Sequence, residues 1–174
     1  MKIGICGCHG SGKTTKAKEL HDHYVDLGKT VIVVDEVARS CPHTLRTVKA
    51  QEWIWYQQMS LLERHAMYIL DVDVIICDRT VMDNLMYYHD LLNETPWRLL
   101  TKEYEWQIWD RWHELYQQAI EWMPTYDKVI RLPLNLEYLK ADDPIRPKSE
   151  EYARRIDALF DRFVDSYVTE EPQR

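Results

Sequence analysis

The sequence predicts an α/β fold of three layers, with helices covering both faces of a mainly parallel sheet of four or five strands. Three observations carry this. Short apolar and β-branched runs alternate along the chain with long helical stretches. The first run passes at once through a glycine loop into a helix. The second and third runs each end on a charged pair, Asp35-Glu36 and Asp78-Arg79, which is where an open α/β sheet presents its ligand-binding groups.

In chain order, residues 2–6 (KIGIC) form the first strand, and the helix after the glycine loop runs to about residue 27, where Gly28 stops it. Residues 30–34 (TVIVV) read as a buried second strand. A Cys-Pro-His break at 41–43 precedes residues 44–70, which lack Gly and Pro and read as one long helix. Residues 72–77 are the third strand, followed by a helix over about 81–92. Thr95-Pro96 suits a helix start, because Thr caps free amides and Pro fits the first helical position, so residues 97–123 are expected to be helical. Residues 127–132 form the fourth strand, 134–148 are rich in turn formers, and 149–168 form the last helix. No repeat or long linker interrupts this pattern, so residues 1–174 are expected to make a single domain.

With 45% hydrophobic and 29% charged residues, the chain has the composition of a folded protein rather than a disordered one. Its net charge of -7 argues against nucleic acid held on a broad basic face, although a local basic groove stays open. No apolar stretch reaches the roughly 20 residues of a membrane span, and the opening MKIGICG is too short for a signal peptide. The expectation is a soluble, cytoplasmic protein. Cysteines 6, 8, 41 and 77 show no C-x-x-C spacing and should be free thiols. Trp106, Trp109 and Trp112, flanked by Trp97 and Trp122, make a stripe expected to pack in the core or at a subunit interface, which is compatible with a homodimer.

Residues 7–14 satisfy G-x-x-x-x-G-K-[ST] between a strand and a helix, the arrangement of a phosphate-binding loop. Gly7, His9, Gly10, Ser11, Gly12 and Thr15 would wrap backbone amides around phosphates, while Lys13 reaches the β and γ phosphates and the Thr14 hydroxyl serves Mg²⁺. ATP and Mg²⁺ are the expected cofactors. Phosphoryl transfer further needs carboxylates for the metal and for the attacking hydroxyl, and Asp35, Glu36 and Asp78 stand at the right strand ends.

GCHGSGKTT, VVDEVARS, CDRTVMDNLMYY and DDPIRPKSEEYARRID together resemble the P-loop kinases of nucleosides and nucleotides, a family that includes deoxynucleoside kinases, thymidylate kinases and nicotinamide riboside kinase-like proteins. The resemblance implies a P-loop kinase fold with a short lid over about 134–148. It implies Glu36 as general base, Asp78 near Mg²⁺, Arg79 on the transferred phosphoryl and Arg146 as a lid arginine, with Arg131, Arg154 and Arg155 as competitors for that last role. Tyr56, Gln57 and Gln58 resemble the aromatic and amide residues that read a base. Arg39, Asp83 and Tyr87 follow the acidic strand ends by about a helical turn and are further pocket candidates. The expected activity is ATP-dependent phosphorylation of a nucleoside or nucleoside monophosphate, with a polynucleotide kinase or a nucleotide-dependent switch ATPase as alternatives.

Overall fold

The computed structural model describes residues 1–68, 71–96, 102–139 and 147–169. Strands β1 (Lys2–Cys6), β2 (Val31–Val34), β3 (Val74–Asp78) and β4 (Lys128–Arg131) form one parallel sheet in the order β2-β3-β1-β4. Parallel strands need crossovers rather than hairpins. Helix α1 (Lys13–Asp26) joins β1 to β2, α2 (Val48–Tyr68) lies between β2 and β3, and α3 (Val81–Glu94) and α4 (Lys102–Trp122) lie between β3 and β4. The single turn α5 (Leu136–Leu139) and helix α6 (Glu150–Phe163) follow β4. The expected α/β architecture is the observed one.

Strand alternation sorts side chains between two cores. Ile3, Ile5 and Ile76 meet Ala17 of α1 on one face. Cys6 and Cys77 face the larger core on the other, with Trp55, Leu85, Leu115 and Phe160 from α2, α3, α4 and α6. Gly4 shares that second face, where a Cβ would come within 2.7 Å of Thr80 Cγ2 and 3.0 Å of the Tyr126 ring. A glycine there lets the start of α3 approach β1.

Boundaries depart from expectation where capping intervenes. Helix α2 starts at Val48 rather than residue 44, because Arg46 adopts φ 47°, a left-handed conformation that a helix cannot continue. Thr47 then caps the helix, its Oγ1 accepting from Ala50 N at 3.3 Å. Ser149 caps α6 in the same way, accepting from Tyr152 N at 3.2 Å. That helix ends at Phe163 rather than near 168, giving way to a 3-10 turn at Asp165–Tyr167. Among the described residues no fifth strand forms at 167–169. Only Thr169 reaches the β4 edge, its N–H donating to Val129 O at 3.0 Å and its Oγ1 accepting from Val129 N at 2.8 Å.

All four cysteines are free, and three are buried. No described helix is long and apolar enough to cross a membrane. The tryptophan stripe divides: Trp112 is 3% exposed, stacks on Tyr116 and donates its Nε1–H to Leu85 O at 3.1 Å, whereas Trp106 is 68% exposed. Trp97 lies outside the described residues. Truncating a buried Trp costs about 3–5 kcal/mol, while surface substitutions stay within about 0.5 kcal/mol. Urea denaturation should therefore show a large loss of stability for Trp112→Ala and almost none for Trp106→Ala; equal losses would mean that α4 packs through a different face.

Candidate active site

The loop from Gly7 to Thr14 joins β1 to α1 and needs glycine at three points, the first being Gly7, with φ 150° and a Cβ that would collide with Leu132 O. Gly10 and Gly12 have φ of 78° and 88°, and a Cβ on them would come within 3.0 Å of Leu139 Cα and 2.9 Å of the Tyr138 ring. Helix α5 thus lies against the loop. Gly12 caps α1 without a side chain, which leaves the first-turn amides directed at the loop interior as an anion site. The Lys13 ammonium is buried there and donates to Gly7 O and Cys8 O, each at 2.7 Å, and to Ser11 Oγ at 3.3 Å. Burial, reinforced by the charge of Arg79, pushes its pKa down to about 8.

The strand ends converge beside this loop. Thr14 Oγ1 donates to Asp78 Oδ2 at 2.6 Å, so a hydroxyl and a carboxylate present two hard oxygens together. That donor set fits magnesium, which takes one or two protein oxygens and completes its shell with water and phosphate. After β2, Glu36 Oε1 accepts from Arg79 Nε at 2.8 Å and from Arg79 Nη2, and Arg39 Nε lies 3.5 Å from Glu36 Oε2. Burial works against the Glu36 charge, but Arg79, Lys13 and Arg39 outweigh it and hold the carboxyl below the ordinary carboxylate range.

Arg79 is placed by a strained corner. Its φ of 136° is unfavourable for a side chain with a Cβ and costs on the order of 1–3 kcal/mol. Gln58 braces the corner from α2, its Nε2 donating to Arg79 O at 3.1 Å and Thr80 O at 3.0 Å. Asp83 braces it from α3. Its Oδ2 accepts from Thr80 N at 2.9 Å and Thr80 Oγ1 at 2.8 Å, and its Oδ1 accepts from Gly7 N at 3.3 Å and faces Arg79 Nη1 at 3.5 Å. Burial pushes the Asp83 carboxyl up, against the pull of Arg79 and Lys13.

A cavity of about 470 Å³ joins the loop to these strand ends. His9, Gly10, Gly12, Lys13, Thr14, Thr15, Glu36, Arg39, Arg79 and Tyr87 line it, as do Tyr138 and Pro147 from the expected lid region. The structure does not bring the base-reading candidates to it. Tyr56 and Gln57 are exposed, with the Tyr56 ring beneath the Arg111 guanidinium, and Gln58 and Asp83 are consumed by the Arg79 corner. The helix repeat explains the shift. The face that reaches the cavity carries Gln51 and Ile54, and Gln51 lies two turns before Gln58, so neighbours at 56 and 57 point away.

Sequence reasoning missed Gln51, Asn84, Arg46 and Tyr152, all of which line the cavity. Gln51 is 5% and Asn84 4% exposed, and Asn84 Nδ2 donates to Gln51 O at 2.8 Å. Among the described residues neither the Gln51 carboxamide nor Asn84 Oδ1 has a hydrogen-bond partner. At the loop tip, His9 N donates to Tyr87 OH at 2.7 Å, and the His9 ring lies 5.1 Å from that of Tyr152. Arg46 sits over the Tyr152 ring at 4.6 Å. Of the lid-arginine candidates, Arg131 is bound by Asp157 at 2.6 Å, Arg155 by Asp90 at 3.0 Å and Arg154 by Glu150 at 2.7 Å, away from the cavity. Arg146 and the rest of residues 140–146 of the expected lid lie outside the described residues.

Solved structures show the same fold. The chain is similar to a deoxyadenosine kinase from M. mycoides with the products dCMP and a flexible dCDP bound, at 20% identity and a TM-score of 0.61, covering 99% of this chain and 88% of that one. A second structure of that enzyme, with dATP bound, aligns over the same shares at 20% identity and a TM-score of 0.66. No curated protein matches at a significant level. The family model described as an AAA domain matches residues 2–169, which takes in the phosphate loop, both acidic strand ends and α6. The chain belongs to that AAA-domain family of P-loop proteins.

Proposed function

We propose that the chain is an ATP- and Mg²⁺-dependent phosphotransferase that moves the γ-phosphate of ATP to a nucleoside or nucleoside monophosphate. The observation that supports this most is one cavity running from the phosphate loop, past Glu36 and Arg79, to the buried Gln51 and Asn84, whose Gln51 carboxamide and Asn84 Oδ1 have no hydrogen-bond partner among the described residues. A switch ATPase needs the first part of that cavity and has no use for the rest. The solved structures of similar fold hold nucleotides, which fits the same reading.

The loop amides and Lys13 bind the donor phosphates, with Lys13 exchanging loop carbonyls for phosphate oxygens. Thr14 and Asp78 would hold magnesium, which neutralises charge on the phosphates when bound. Arg79, held on Glu36, would contact the transferred phosphoryl, and Arg146 is the proposed lid arginine. Facing a hydroxyl acceptor, Glu36 would take its proton, a contribution worth about 10² to 10⁴ in rate. The Gln51 carboxamide offers a donor and an acceptor and Asn84 Oδ1 a second acceptor, which together suit the edge of a base. Gln58 and Asp83 act through Arg79 rather than on the substrate.

Transfer of label from γ-labelled ATP to a panel of nucleosides and mononucleotides tests the proposal. Lys13→Ala should abolish it with the fold intact. Label found on oligonucleotides alone, or hydrolysis without any labelled acceptor, would overturn the reading.

The state of Lys13 adds a pH dependence. Its pKa is about 8 in the nucleotide-free protein, and bound phosphates favour the charged form and raise it. ATP binding therefore takes up a proton above about pH 8, and affinity should be level below that pH and weaken by up to about tenfold per unit above it. Calorimetry across that range reads the effect directly; an affinity unchanged through pH 9 would contradict it. Gln51→Leu removes about two hydrogen bonds worth roughly 1 kcal/mol each. It should raise the acceptor KM by about thirtyfold and leave ATP affinity unchanged, as steady-state kinetics can show.

A further inference from the structure

We propose that the acceptor carries its own phosphate, a nucleoside monophosphate rather than a nucleoside, and that Arg39 and Arg46 hold that phosphate. The inference rests on the phosphotransferase reading above and deepens it. In a chain of net charge -7, the described residues that line the cavity include Lys13, Arg39, Arg46 and Arg79 against a single carboxylate, Glu36. Two of the four cations share that carboxylate, Arg79 on one oxygen and Arg39 at 3.5 Å from the other. Among the described residues no carboxylate lies within ion-pair range of Arg46, whose guanidinium rests on the Tyr152 ring. A surplus of guanidinium groups around a cavity matches an anion, and a planar fork suits phosphate oxygens.

Position separates Arg39 from the donor site. In the order β2-β3-β1-β4, the turn after β2 that carries Arg39 stands two strand spacings, about 10 Å, from the loop on β1. In-line transfer requires the acceptor on the side of the γ-phosphorus opposite the leaving ADP. Arg46 stands beside the loop tip, because Tyr152 beneath it lies 5.1 Å from the His9 ring. It is also held there, at φ 47° immediately before the Thr47 cap of α2. Gln51, the amide suited to a base, follows five residues later on the same wall. Arg39, Arg46 and Gln51 thus offer two phosphate partners near the transfer point and a base partner behind them.

The chemistry balances without a general base. A monophosphate carries about -1.5 to -2 charge at neutral pH, so one of its oxygens attacks the γ-phosphorus as it stands. The new P–O bond forms as the bond from the γ-phosphorus to the β–γ bridging oxygen breaks, and ADP leaves with that electron pair. The products are ADP and a nucleoside diphosphate, with no proton to remove. Glu36 then orients Arg79 and Arg39.

The test is label transfer from γ-labelled ATP by the full chain to nucleosides and to the matching monophosphates, repeated for Arg46→Ala, Arg46→Lys and Arg39→Ala. Arg39 and Arg46 are exposed, so folding should survive, and a thermal melt checks it. The expected result is label on monophosphates and none on nucleosides, with Arg46→Ala raising the monophosphate KM at least tenfold. ATP affinity should stay within twofold, and Arg46→Lys should restore part of the loss. Labelled nucleosides, or a loss in Arg46→Ala that falls on ATP affinity instead of the acceptor KM, would overturn the proposal. Label on neither class would overturn the phosphotransferase reading itself, and this proposal with it.

Discussion

At the carboxyl end of β3 the backbone turns through Arg79 at φ 136°, and the geometry of the cavity follows from what holds it there. Gln58 fixes the two carbonyls of the corner, and Asp83 fixes the amide and hydroxyl of Thr80 while accepting from the loop at Gly7. The side chain leaving this corner reaches Glu36 at the end of β2. One strained residue therefore links three strand ends, and its bracing groups are buried to 5% exposure or less. Removing one partner from such a network leaves another charge or polar group buried and unmatched, which costs about 3–5 kcal/mol for an ion pair. Loop, corner and carboxylate consequently behave as one rigid unit.

The parts legible in the sequence were those with short-range causes. The phosphate loop could be read because its glycines, Lys13 and Thr14 are consecutive and sit between a strand and a helix. The strand ends could be read because β-branched runs stop at charged pairs. The wall built from α2 could not. Tyr56, Gln57 and Gln58 made a plausible polar cluster, but rotation about a helix is set by burial of Ile54, Trp55 and Leu62, and that burial turns Gln51 toward the cavity. Gln51 and Gln58 at a spacing of seven were the available signal. Arg46 was hidden by a different cause: its left-handed conformation breaks a segment whose composition is otherwise helical.

Overall charge and local charge point in opposite directions here. A net charge of -7 keeps polyanionic surfaces away, yet the described lining of the cavity is cationic. Field lines from guanidinium groups concentrate in a concave space, which favours entry of small anions while a net negative surface disfavours an extended polyanion. On the proposed reading, discrimination between a mononucleotide and a nucleic acid strand would need no dedicated contact. It would follow from where the cations of the cavity lining are placed.

The loop engages its own lysine. The Lys13 ammonium takes two backbone carbonyls and a serine hydroxyl, while burial and the Arg79 charge push its pKa down to about 8. The Gly12 cap leaves amides pointing inward with no side-chain acceptor. A buried ammonium bound only by dipoles and a set of inward amides share one remedy, an anion placed between them. The same residues that make the loop poorly satisfied alone therefore make it well satisfied with phosphate, so ligand affinity and loop stability derive from one interaction. Tyr138 and Leu139, packed on Gly12 and Gly10, join α5 to that loop, so α5 lies against the element whose inward amides and ammonium a bound phosphate would satisfy.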